Sequence, residues 1–160
     1  MSHRPAGAVD YNGRINHIRG ERRIMAIMSA EVQNLFKEVS DVVFTTVSAD
    51  GQPNSCVVGM KAVIDDETVY LSDQFFKKTL ANVQANSKVA ILFWKGVEAY
   101  ELHGTARYVN GGAEFEEQKA WVDAAFEQMG KPIKAKGGCF VSVEAVFCSS
   151  PGPNAGAKLA

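Results

Sequence analysis

Two adjacent lysines stand where the sequence predicts that a short helix begins. The segment contains Lys77, Lys78 and Thr79, and apolar residues recur around it at helical spacing. The first turn of a helix carries unpaired N–H groups and partial positive charge, so two lysines are unfavourable there unless an anion binds beside them. Lysine charge, a threonine hydroxyl and free N–H groups together suit a phosphate. The segment therefore predicts a phosphate site, with a solvated pair of lysines as the alternative.

A glycine and a lysine interrupt the apolar run SCVVGMK at residues 55–61. A glycine inside a strand often marks a bulge or the close approach of a ligand, and Gly59 holds this position. Lys61 places a cation in an otherwise apolar run, where it can stabilise a reduced, anionic cofactor ring. The alternative interpretation is a bulged strand with a lysine whose ammonium group reaches solvent.

The remaining reactive side chains form none of the common catalytic or metal-binding motifs. The histidines are His3, His17 and His103. They form no HxH, HExxH or Cys/His cluster, so no metal site is expected. The sequence also lacks GxSxG, Walker and GxGxxG patterns, and we assign no catalytic residue.

Composition and cysteine usage describe an ordinary single-domain protein. The chain has 160 residues, of which 46% are hydrophobic and 22% charged, and its formal net charge is −1. This charge gives no reason to expect a nucleic-acid or membrane partner, and no apolar run is long enough to span a bilayer. Cys56, Cys139 and Cys148 are odd in number and lack a CxxC pair. They are interpreted as reduced packing thiols of a cytoplasmic protein.

The elements that must position these residues are predicted by periodicity and turn signals. Ser29 caps a helix that buries Val32, Leu35, Phe36 and Val39. Strands are predicted on both sides of the Asp50-Gly51 turn and at 68–72, 88–94, 98–109 and 138–147. A second helix follows the lysines, and a third covers about 111–130, with Phe115, Val122, Phe126 and Met129 on its apolar face.

This order predicts an α+β, mainly β protein built on a small antiparallel barrel. Residues 1–28 are polar and mildly basic, without the apolar segment of a secretory signal. They are predicted to form an N-terminal arm, and residues 29–160 a single domain. An arm that covers a partner subunit is the alternative to a loose one.

The residues also resemble a known family. The runs VVFTTVSADGQPNSCVVGMK and DDETVYLSDQFFKKTLANVQANSKVAILFW resemble the pyridoxamine 5′-phosphate oxidase-like, FMN-binding split-barrel proteins. The ending SPGPNAGAKLA is similar to that of the small prokaryotic flavoproteins in this group. The resemblance covers about residues 30–160 and excludes the arm.

The resemblance implies a six-stranded antiparallel split β-barrel with flanking helices, a homodimer, and FMN at the dimer interface. It places the FMN phosphate at Lys77, Lys78 and Thr79. It places the flavin ring along Val58, Gly59, Met60 and Lys61. The adjoining strand end, Ser72, Asp73 and Gln74, is implied as a further contact with the flavin.

Three departures affect which function the resemblance implies. Lys77 and Cys56, or a neighbour of Cys56, stand where the oxidase usually has arginines, and its C-terminal substrate-binding arginine and histidine are not recognisable. A generic FMN-dependent oxidoreductase or electron carrier therefore fits better than the oxidase itself. The alternatives are a non-catalytic flavin store or redox sensor, and a split barrel that binds another flat cofactor such as haem or a deazaflavin. The electron donor and acceptor stay open.

Overall fold

The computed structural model describes residues 25–160 as one antiparallel sheet with three helices. The helices are α1 (Ala30–Glu38), α2 (Lys78–Ala85) and α3 (Ala113–Gln128). The strands are β1 (Val42–Val47), β2 (Pro53–Val58), β3 (Lys61–Val63), β4 (Thr68–Asp73), β5 (Lys88–Lys95), β6 (Glu98–Val109) and β7 (Gly137–Cys148). The mainly β, α+β fold predicted from the sequence is confirmed.

The sheet has the strand order β2-β1-β5-β6-β7-β4-β3 and curls around one hydrophobic core, as a split barrel does. Residues 25–160 form seven strands instead of the six expected, because the run at 55–61 is divided at Gly59 and Met60. Val58 pairs with Val42 at one edge of the sheet, whereas Lys61 pairs with Leu71 at the other. One continuous strand cannot serve both edges, so the chain must bend between them.

At Gly59 the chain passes close to the exposed side chain of Asp41, just before β1. A Cβ added there would lie 3.1 Å from Oδ1 of Asp41, which is tight for a carbon–oxygen contact. Gly59 therefore lies in a bend between two edge strands and not in a bulge within one strand, and the close approach of a ligand there stays a prediction.

Helix α1 closes one side of the barrel. The Ser29 hydroxyl accepts a hydrogen bond from the Val32 N–H, as an N-cap does, and Val32, Leu35 and Phe36 are buried. Phe36 packs edge-to-face on Phe93 with 5.2 Å between ring centroids. Full burial of an aliphatic or aromatic side chain stabilises the fold by about 1.5–3 kcal/mol. The buried face of α1 therefore supplies most of the free energy that holds this helix on the sheet.

Helix α3 packs on the outer side of the sheet through a smaller apolar cluster. Phe115 and Val122 are buried with Ala135, and Phe126 is half-buried beside them. Met129 is 53% exposed, so its predicted place on the buried face is wrong. It follows the last helical residue, and the chain turns away at Gly130 with φ +67°.

The core extends a few residues ahead of Ser29. Ala26 and Met28 are buried, and their N–H groups donate to the carbonyls of Val143 and Asp66. Residues 25–28 thus pack on the domain, while the rest of the predicted arm, with His3 and His17, lies outside the described residues. Between residues 25 and 160 no helix has the length and apolar character needed to cross a membrane.

We expect Cys139 to resist alkylation by iodoacetamide at pH 8 in the native protein. Its thiol is free and fully buried on β7, and burial raises its pKa to about 12. Only the thiolate reacts, and at this pH about one such thiol in ten thousand is ionised. Mass spectrometry checks the result, with urea-unfolded protein as the control in which all three cysteines react. Rapid labelling of Cys139 in the folded protein would contradict its burial.

Candidate functional site

The structure brings two of the predicted site segments into direct contact. The Ser72 N–H donates to the Met60 carbonyl at 2.9 Å, next to the Lys61–Leu71 pair of β3 and β4. Met60 and Lys61 therefore adjoin the end of β4 at one edge of the sheet, whereas Val58, which the resemblance also assigned to the flavin ring, pairs at the opposite edge.

The residues of these two predicted flavin segments, 58–61 and 72–74, differ in accessibility. Val58 is buried in the core, Met60 is half-buried against the α3 cluster, and Gly59 is exposed. Ser72 is buried, and its hydroxyl accepts a hydrogen bond from the Gln74 amide at 2.6 Å. Gly59 is exposed and has no side chain of its own, but the Asp41 carboxylate lies beside it, so a ligand there would meet this carboxylate as well as backbone.

Lys61 has partners within its own chain. Its Nζ donates to the Val39 carbonyl, the C-cap of α1, at 2.7 Å and lies 5.4 Å from the Phe36 ring centroid. A cation at a helix C-terminus satisfies a free carbonyl and complements the helix dipole. Burial lowers the pKa of Lys61, and the Asp41 carboxylate partly opposes this. The observed partner thus ties β3 to α1, and a contact with a flavin ring stays a prediction.

Asp73 anchors the link between β4 and α2. The residue is only 1% exposed, and its carboxylate accepts the Phe76 N–H at 2.7 Å and the Tyr108 hydroxyl at 2.8 Å. With both carboxylate oxygens bonded inside the protein, Asp73 fixes the position of residues 74–77. Asp73 is therefore a buried support of this link, and its predicted contact with the flavin stays a prediction.

The start of α2 exposes positive charge and free N–H groups. Lys77 is the N-cap and Lys78 the first helical residue, and both side chains are exposed. No side chain from residues 25–160 caps the helix, and its first turn contains no acidic residue. The first backbone bond of the turn runs from the Ala81 N–H to the Lys77 carbonyl. Earlier N–H groups have no acceptor within the helix. This arrangement fits a phosphate, because a bound anion would satisfy these groups and the lysines together.

Thr79 faces the opposite way, into the end of the barrel. It is 4% exposed; its hydroxyl donates to Sγ of Cys56 at 3.3 Å and accepts from the Asn54 amide at 3.1 Å. One turn later, the Asn82 amide donates to the Thr46 hydroxyl at 3.0 Å. These bonds fasten the buried face of α2 to β1 and β2. Of Lys77, Lys78 and Thr79, only the lysines present their side chains to solvent.

Four residues that hold this site were not predicted from the sequence, namely Thr46, Asn54, Asn82 and Tyr108. The spacing of Thr79 and Asn82, three apart on a predicted helix, was the available signal for a polar face turned inward. Nothing local indicated Tyr108, which is 35 residues from its partner Asp73.

Comparison with known proteins identifies the family. A family model described as pyridoxamine 5′-phosphate oxidase matches residues 28–142. The chain belongs to the pyridoxamine 5′-phosphate oxidase family. An uncharacterized protein of Methanocaldococcus jannaschii is 31% identical over 141 residues, covering 86% of this chain and 90% of that protein.

Solved structures share the fold of this family member. HupZ of group A Streptococcus is 27% identical with a TM-score of 0.68, covering 81% of this chain and all of that one. An FMN-binding protein of Syntrophomonas wolfei (15% identity, TM-score 0.64) covers 74% of this chain and 83% of its own. The heme storage protein HutZ of Vibrio cholerae (17%, TM-score 0.59) covers 77% and 95%. The last two likenesses concern the fold alone.

Proposed function

We propose that this protein binds FMN and acts as an oxidoreductase or electron carrier. The observation that carries the proposal is the start of α2, where two exposed lysines and uncapped N–H groups lie together. The name of the family also implies a phosphorylated ligand. The likenesses to an FMN-binding protein and to a heme storage protein are likenesses of fold alone, so the proposal of FMN rests on the phosphate site at the start of α2.

Lys77 and Lys78 would hold the FMN phosphate by charge, and the first-turn N–H groups would direct its oxygens. Thr79 would contribute its backbone N–H, because its hydroxyl is already bonded inside the barrel. Hydrogen bonds to charged groups contribute about 1.5–3 kcal/mol each, and the helix dipole adds about 0.3–1 kcal/mol. The exposure of both lysines places their contributions toward the lower end of these ranges.

The ring would lie along the backbone at Gly59 and the adjoining end of β4. A bound flavin supplies hydride or electron transfer, and the protein orients it and limits its access to water. We assign no general acid or base, which favours simple hydride or electron transfer.

We further propose a homodimer with FMN at the interface. Val57, Phe75 and Trp94 are 71%, 71% and 50% exposed in a single chain, and large apolar side chains of this kind suit a subunit interface. Sedimentation equilibrium of purified protein measures the mass directly. A mass of one chain at micromolar concentration contradicts the dimer.

Two experiments test the proposed function. A titration of apoprotein with FMN, followed by flavin fluorescence, measures affinity and stoichiometry. Stopped-flow mixing of the holoprotein with NADH or NADPH and an acceptor then separates an oxidoreductase from a passive flavin store. Rapid turnover is the expected result; bound FMN without turnover with any tested donor would favour the store. A different chromophore, identified by mass spectrometry of the purified protein, would favour another flat cofactor.

A further inference from the structure

The carboxylate of Asp73 links the start of α2 to a tyrosine on a distant strand. One oxygen accepts the Phe76 N–H, one residue before the N-cap Lys77, and the other accepts the Tyr108 hydroxyl. Tyr108 belongs to β6, which is separated from β4 by β7. The tyrosine therefore reaches across a whole strand to make this bond.

Gly137 makes the crossing possible. A Cβ added to this residue would lie 2.2 Å from the Tyr108 hydroxyl oxygen and 2.5 Å from its ring carbon Cζ. Any larger residue at position 137 would have to displace the Tyr108 phenol from its present position. The sequence thus combines a glycine on β7, a tyrosine on β6 and an aspartate at the end of β4 in one arrangement.

The hydrogen bond from Tyr108 to Asp73 is well placed to control the geometry of the link between β4 and α2. Asp73 is buried, so an oxygen that loses the Tyr108 donor cannot take water in its place without rearrangement. Burial raises the pKa of Tyr108, with Asp73 acting in the same direction, so the phenol stays protonated and remains a donor. A shift of the carboxylate would move the Phe76 N–H and, one residue later, the first lysine.

We propose that Tyr108 is a positioning residue for the FMN phosphate, acting through Asp73 on the start of α2 without touching the ligand. This inference rests on the proposed function and adds a specific consequence. The Tyr108–Asp73 bond determines how strongly the protein prefers FMN over riboflavin, because riboflavin has the same ring and lacks the phosphate.

The test compares Tyr108→Phe with the wild type in binding titrations with FMN and with riboflavin. We expect FMN to bind about tenfold more weakly, as for loss of one charge-assisted hydrogen bond, and riboflavin affinity to change less than about twofold. Asp73→Asn replaces one acceptor oxygen of the carboxylate, and it is also expected to lower the preference for FMN over riboflavin. If that variant does not fold, Tyr108→Phe alone decides the question.

Tyr100→Phe is the matched control, because Tyr100 lies on the same strand and donates to the exposed Glu98 at 3.1 Å. It is expected to bind both ligands as the wild type does. Equal weakening of FMN and riboflavin in Tyr108→Phe would show a general structural role and overturn the inference, as would an unchanged preference. A wild type that binds neither ligand would overturn the proposed function itself.

Discussion

Replacing Lys77 and Lys78 together by alanine is expected to weaken FMN binding about 100-fold, or about 2.7 kcal/mol. The two exposed ammonium groups are the positive side chains at the start of α2, and helix N–H groups remain after their removal. Because neither side chain packs in the core, the variant should fold normally. Fluorescence titration with FMN measures the effect, and thermal unfolding of the apoprotein confirms that stability is kept.

Lys131→Ala provides the matched control. Lys131 is an exposed lysine just beyond the end of α3 and forms no ion pair among the described residues. Its loss should leave FMN affinity within about twofold. High salt should weaken the wild type more than the double variant, since screening acts on the charges that the variant lacks. Unchanged affinity in the double variant would contradict the phosphate assignment.

Truncating Phe36 to alanine is expected to lower the free energy of unfolding by about 3–5 kcal/mol. The side chain is fully buried, packs edge-to-face on Phe93 and lies under the Lys61 ammonium group. Its removal leaves a cavity between α1 and the sheet and loosens the tie between β3 and α1. Urea unfolding followed by circular dichroism measures the loss.

Asn34→Ala on the same helix is the control for this experiment. Asn34 is exposed, and alanine is the better helix former, so stability should change by less than about 0.7 kcal/mol. Equal effects of the two substitutions would contradict the burial of Phe36 in the core.

Local signals in the sequence predicted most of the elements correctly. The Ser29 cap, the Asp50-Gly51 turn and the buried apolar face of α1 are determined within a few residues, whereas the buried face of α2 carries Thr79 and Asn82 beside Val83. Gly51, with φ +89°, adopts a backbone conformation that favours glycine. The split-barrel fold was predicted from such elements together with the resemblance of the 42–94 region to a known family.

What the sequence could not supply depends on long-range register. Whether residues 55–61 form one strand or two is decided by their partners, Val42 on β1 and Leu71 on β4, which lie next to opposite edges of the sheet. The inward direction of Thr79 likewise depends on Asn54 and Cys56 across the barrel. Periodicity reports which residues share a face but does not report which other element covers that face.

The visible absorption spectrum of the purified protein shows whether it retains FMN. The protein is purified, incubated with excess FMN, passed through a desalting column and measured against the apoprotein. We predict an oxidised-flavin spectrum that stays with the protein at about one flavin per chain. A colourless protein that releases all added FMN would contradict FMN binding. The two lysines at the start of α2 would then be an exposed pair without a ligand.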